Sequence, residues 1–152
     1  MKLLLKSNDI PRITSLSGNI DIDSLKPHIF TAQMTDIKRI LGVDLYAKML
    51  EDNLTDEYLT IYDEYLIYIL SYYATAYFID FAGVKVVNNG MVKMTIENAE
   101  NIDLKQTQIL AEKYRKLAIN FEGQLLAYLK TIDIPEYKEE NIVQKKPFNT
   151  WY

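Results

Sequence analysis

The stretch DEYLTIYDEYLIYILSYYATAYFIDFA, Asp56 to Ala82, decides how this chain is read. It holds Tyr58, Tyr62, Tyr65, Tyr68, Tyr72, Tyr73 and Tyr77 of the chain's 12 tyrosines. At helical spacing one face carries Tyr58, Tyr62, Tyr65, Ile69, Tyr72, Ala76 and Ile79. A second carries Leu59, Leu66, Leu70, Tyr73 and Tyr77. Two apolar faces predict a central helix packed on several sides, about 40 Å long at ~1.5 Å rise per residue. Thr55 is expected as its N-cap, with Asp56 and Glu57 in the first turn, where the helix dipole favours carboxylates. Gly83 is expected to close it in the left-handed conformation. The uncharged run Tyr65–Ile79 falls short of the ~20 residues a membrane span needs, and its hydroxyls require polar partners. A core helix fits better than a span.

Around that helix, 152 residues suffice for one domain with a real core. The chain has no cysteine, which excludes disulfides and thiolate metal sites. The opening MKLLLKSND has too short an apolar run for a secretion signal. The net charge of −4 and a pI of about 5.0 leave no strongly basic nucleic-acid footprint.

Upstream, residues 1–22 read as extended or irregular, with turn signals at Pro11 and Gly18-Asn19. Helix one is expected after Asp23 or Ser24, with Pro27 tolerated in its first turn. Ile29, Ala32, Gln33, Ile37, Ile40 and Leu41 give its apolar period, and Gly42 ends or bends it. A short helix from Asp44 to about Asn53 follows. Downstream, VKVVNNGMVKMTI is rich in β-branched residues and carries Asn89-Gly90, so a small hairpin is expected over 84–96. Val87 then faces Val92, and Lys85 faces Met94. Asp103, with Gln106, resembles a capping box for a last helix. The inner face of that helix is read as Leu110, Tyr114, Leu117, Ala118, Phe121, Leu125 and Tyr128. Its outer face holds Lys105, Glu112, Lys113, Arg115 and Lys116. Gly123 either allows a close helix approach or has no packing role. The fold class is therefore mainly α. About four helices surround the Tyr-rich helix in a domain over residues 1–132, with an extended C-terminal tail over 133–152.

Chemistry is sparse. His28, the only histidine, sits beside Pro27 at a helix start and reads as a surface or capping residue. HExxH, ExxH, GxxxxGK[ST] and GxGxxG patterns are missing, and no serine has a nucleophile-elbow context. Glu51, Asp52, Asp56, Glu57, Asp63 and Glu64 cluster without an intervening base. A Mg²⁺ or Ca²⁺ site is one reading, without EF-hand spacing; a solvated acidic corner is the plainer one. The expectation is no enzyme, with no catalytic, metal or cofactor residues. Two other classes stay open. A nucleic-acid-binding helical module would use Lys113, Arg115, Lys116, Lys145 and Lys146, and a carboxylate-metal enzyme would use the acids of 51–64.

SGNIDIDSLKPHIFTAQ, IKRILGVDLYAKML, the Tyr-rich helix, NNGMVK and the amphipathic last helix follow one another in an order that resembles the head-tail connector proteins of tailed bacteriophages, also called adaptor or head-completion proteins. The pattern D-x-L-x-P-x-I-x-x-A-Q lies at Asp23 to Gln33, and I-x-x-I-L-G-x-x-L-Y at Ile37 to Tyr46. The resemblance covers most of residues 10–130 and extends to ring proteins of crAss-like and other Bacteroidales phages. It implies a structural virion protein. About twelve copies would form a ring beneath the portal protein, at the head-tail junction, assembled in the host cytoplasm. Implied partners are other copies of itself, the portal, neighbouring connector or tail proteins, and DNA passing without sequence-specific binding; no membrane is implied. Val84, Val86, Asn89, Gly90, Met91 and Met94 of the hairpin are expected at the protein interface. So are Phe148, Trp151 and Tyr152 of the tail. The acids Glu51, Asp52, Asp56, Glu57, Asp63 and Glu64 are the candidates to face the channel.

Overall fold

The computed structural model describes residues 1–16, 20–81, 84–87, 90–93 and 104–138. It is mainly helical. A 3₁₀ turn, Ser7–Asp9, leads into α1, Ile10–Ile13, with Pro11 in the first turn, where it needs no N–H partner. This segment, read from sequence as irregular, is therefore partly helical. A second 3₁₀ turn, Ile22–Leu25, is capped by Asp21, whose carboxylate accepts from Asp23 N. It feeds α2, Lys26–Ala32, which carries Pro27 in its first turn. A π-helical turn, Gln33–Ile37, joins α2 to α3, Lys38–Met49. Inside α3 Gly42 leaves the helical region at φ 76°, ψ 173°, so the expected bend is there.

The Tyr-rich stretch is α4, Asp56–Ile61, then a π turn, Tyr62–Leu66, then α5, Ile67–Phe81. Thr55 precedes α4 as expected, but its side chain makes no cap hydrogen bond. Its backbone carbonyl accepts from Tyr58 N and Leu59 N instead. The π turn inserts one residue into the helical repeat. Positions before it are rotated against those after it, so Ile61 is buried and Leu59 is 44% exposed. Extrapolating one α-helical period through Leu66 had put Leu59 on a buried face. Gly83 and Asp103 lie outside the described residues.

The last helix, α6, Leu104–Leu129, runs antiparallel to α5. The order of the ring pairs shows it: Tyr65 stacks on Tyr128, Tyr68 on Phe121, and Tyr72 on Tyr114. The buried stripe of α6 is Ala111, Tyr114, Ala118, Leu125 and Leu129. Leu110 and Leu117, read as inner residues, are 40% and 41% exposed. Small alanines let α6 approach α5, and the aromatic rings fill the flank, so the leucines are turned outward. A Cβ on Gly123 would meet nothing within 4 Å, so no close approach depends on that glycine.

Helices α2, α3, α5 and α6 enclose one main core around Leu25, Ile29, Ile37, Ile40, Leu45, Leu66 and Ile69. Ile134, assigned from sequence to the tail, is buried in it, and Tyr137 packs against it. The helical body therefore extends past residue 132. Val84–Val87 (β1) and Gly90–Lys93 (β2) pair antiparallel, with Lys85 opposite Val92 and Val87 opposite Gly90. The expected register, Val87 with Val92 and Lys85 with Met94, is off by two residues. Gly90 is thus a strand residue rather than half of the turn, and residues 88 and 89 lie outside the described residues.

Candidate functional site

Two constellations stand out, and neither was visible from local sequence. The first is a polar cluster joining α2–α3, α5 and α6. Arg39 Nη1 and Nη2 donate to Glu122 Oε1 and Oε2 at 2.8 and 3.1 Å, a bidentate pair. Asp36, with a side chain 2% exposed, lies 3.7 Å from Arg39 Nη2. Tyr73 Oη donates to Glu122 at 2.9 Å, and Tyr77 Oη donates to Asp36 at 2.8 Å. Thr35 Oγ1 donates to the same Asp36 oxygen. The hydrogen bonds to Glu122 hold the Arg39 pKa above its usual range. Burial, with the Glu122 charge next, pushes Tyr73 up, and burial likewise raises Tyr77. Both phenols thus stay protonated donors. With its acids committed to a guanidinium and three hydroxyls, the cluster is a staple between helices. A shallow cleft of about 610 Å³ opens beside it, lined by Met34, Thr35, Lys38, Arg39, Gly42, Val43 and Asp44.

The second constellation holds the N-terminal arm, Met1–Leu5. Gln33, fully buried, accepts from Leu4 N at 2.7 Å and donates to Lys2 O at 3.0 Å and Tyr46 Oη at 2.9 Å. Tyr62 Oη donates to Leu4 O at 2.7 Å. Gln33 and Tyr62 each open one of the two π turns. A π turn re-aims the side chains at its start, and here both point at one extended peptide. Leu4 and Leu5 are buried behind it.

The six clustered acids, Glu51, Asp52, Asp56, Glu57, Asp63 and Glu64, are all exposed. Folding brings bases to two of them. Lys48 Nζ reaches Glu51 at 2.6 Å, and Lys2 Nζ reaches Asp52 at 2.6 Å and Leu50 O at 2.6 Å. The hydrogen bond from Lys2 lowers the Asp52 pKa. Among the described residues no group of three or more histidine or acidic side chains is arranged to hold a metal ion. His28 is stacked on Phe81 and edge-on to Phe78, both at 5.8 Å, and burial lowers its pKa. On α6, Arg115 is engaged by Asp80 and Glu112. Lys113 and Lys116 remain on the exposed side. No helix among the described residues is long and apolar enough to cross a membrane. Val84, Val86, Gly90 and Met91 lie on the paired strands. Asn89, Met94, Phe148, Trp151 and Tyr152 lie outside the described residues.

These features define a mainly helical domain whose conspicuous polar groups tie its own elements together. The chain belongs to a family of unknown function (DUF6712), whose model matches residues 37–146. No curated protein and no solved structure matches it.

Proposed function

We propose that this chain is a structural virion protein without enzymatic activity, a head-tail connector subunit that forms a ring between the portal and the tail. The observation that carries the reading is the coupling of the two stretches behind the connector resemblance. Gln33 ends the first and Tyr46 ends the second, and the two side chains are hydrogen-bonded at 2.9 Å. Gly42, the glycine of the second, occupies a backbone conformation that requires it. The residues that make the resemblance are thus the ones that shape the α2–α3 corner. The exposed Ile109, Leu110 and Leu117 on α6 support an assembling surface. In this reading the strands around Val84, Val86 and Met91 meet a neighbouring copy, and the tail carries Phe148, Trp151 and Tyr152 onto a partner.

The acids at 51–64 are assigned to the channel side, where like charge keeps DNA sliding rather than held by counterion release. A ring map with all six on the outer wall removes that assignment. The test of the function is negative-stain imaging of the purified chain with and without candidate portal rings. Stacked rings are the expected result. A chain that stays monomeric with every portal tried overturns the proposal.

A further inference from the structure

We infer that the outward face of α6 docks on the acidic face of α4 in a second copy, a contact that joins two unlike surfaces. On α6, Ile109, Leu110 and Leu117 are exposed. Lys113 stands three residues after Leu110 and four before Leu117, and Lys116 stands three after Lys113, so apolar and basic positions share one side of the helix. Among the described residues Lys113 and Lys116 enter no ion pair, and Glu112, the acid between them and Leu110, is engaged by Arg115. On α4 and the π turn after it, Leu59 is exposed, with Asp56 three residues before it and Asp63 four after. Glu57 and Glu64 are exposed beside them. Among the described residues these four acids enter no ion pair, in contrast to Glu51 and Asp52, which meet Lys48 and Lys2.

Charge complementarity identifies the occupant. Each face sets exposed apolar side chains among unpaired charges of a single sign, and the two signs are opposite. Both faces are exposed in the subunit, so neither is covered within it. Across two copies Leu59 meets the leucines of α6 while the acids reach Lys113 and Lys116. Apolar burial then supplies affinity, and the charges fix register and suppress like-to-like pairing. A nucleic acid would use the two lysines but would set Ile109, Leu110 and Leu117 against phosphates, and it would leave the α4 face unused. Because the joined surfaces differ, every copy in a pair keeps one of its two faces free. The contact therefore propagates, into a ring where its rotation closes and into a filament where it does not. It rests on the connector reading only for the closed ring, and it leaves the channel side to those of the six acids that the neighbour's lysines do not meet.

Charge reversal on each face, read by sedimentation velocity of the full chain at low salt, tests the pairing. The native chain should associate as its concentration rises. One variant carries Lys113→Glu with Lys116→Glu, a second carries Asp63→Lys with Glu64→Lys, and a third carries all four changes. The first two should each stay monomeric at the concentrations where the native chain associates, with unchanged helical circular dichroism. An equimolar mixture of the two should associate again, because every contact between unlike variants joins opposite charges. The four-site variant should associate by itself with the signs exchanged, which keeps the test decisive if a two-site variant folds poorly. A native chain that is monomeric at millimolar protein overturns the proposal, as does association that the two-site variants leave unchanged. Loss in those variants without recovery in the mixture or in the four-site chain also overturns it. Recovered association with no rings on any portal would sink the connector reading and leave the contact standing. Portal-bound rings built normally by both two-site variants would do the reverse.

Discussion

Gly42 sits at φ 76°, ψ 173°, a region that only glycine occupies without strain. A side chain there is expected to cost about 1–3 kcal/mol. Gly42→Ala should therefore lower the urea midpoint while leaving the m-value unchanged; an unchanged midpoint would mean the α3 bend relaxes freely. Arg39 shows a different dependence. It offsets two largely buried carboxylates, and its partner Glu122 lies far away in sequence, so no local pattern announces it. His28 was legible as an isolated residue, but its packing between Phe78 and Phe81 was not. Burial lowers its pKa in the folded state, so the unfolded chain takes up a proton first as the pH falls. The His28 contribution is complete above its unfolded pKa, about 6.5, and is lost as pH drops through the folded value. Melting temperature should fall more steeply between about pH 7 and 5 in the native chain than in His28→Phe. Parallel curves would remove His28 from the acid response.

At the scale of elements, the helices announce themselves and their rotations do not. Tyrosines and apolar residues at steps of three and four mark α4–α5, and the tyrosine hydroxyls find polar partners at Leu4 O, Glu122, Asp36 and Glu136. The π turn at Tyr62–Leu66 carries no sequence signature, and it shifts the face of everything before it. Ile61→Ala is expected to destabilise by roughly 2–5 kcal/mol, as for a fully buried isoleucine. Leu59→Ser, on the exposed side, should stay within about 0.5 kcal/mol of the native chain. Chemical denaturation of the pair reads the helix rotation directly, and equal losses would restore the uninterrupted α-helical register. In α6 the same logic failed for Leu110 and Leu117, because hydrophobicity ranked leucine above the alanines that pack closest. The strands offer an assembly test. Val86→Lys with Met91→Lys should keep the helical circular dichroism signal and abolish ring formation. Rings of normal size from that variant would show the strands are not an interface.

For the whole molecule, residues beyond the expected boundary at 132 pack on the helices, since Ile134 belongs to the core and Tyr58 donates to Glu136 at 2.5 Å. That hydrogen bond, with burial second, lifts the Tyr58 pKa to about 12. A proline-containing, mixed-charge segment reads as tail, whereas one isoleucine and one carboxylate suffice to hold its beginning down. In the connector reading the part proposed to bear on assembly runs from Lys145 to Tyr152, outside the described residues. Phe148, Trp151 and Tyr152 together bury on the order of 500 Å² when docked, at 150–250 Å² per aromatic. That is worth about 12 kcal/mol gross at ~25 cal/mol per Å², an upper bound. Ordering the backbone of the same stretch costs roughly 8–16 kcal/mol. The two nearly cancel, so burial of the three aromatics offsets no more than the ordering cost. In the connector reading a groove on an adjacent subunit that added backbone hydrogen bonds would tip the balance and couple folding to docking. Deleting residues 145–152 should leave the melting temperature of the free subunit unchanged and remove binding to the partner ring. A large drop in melting temperature with ring binding intact would place the segment in its own subunit's core, with the assembly held by other surfaces.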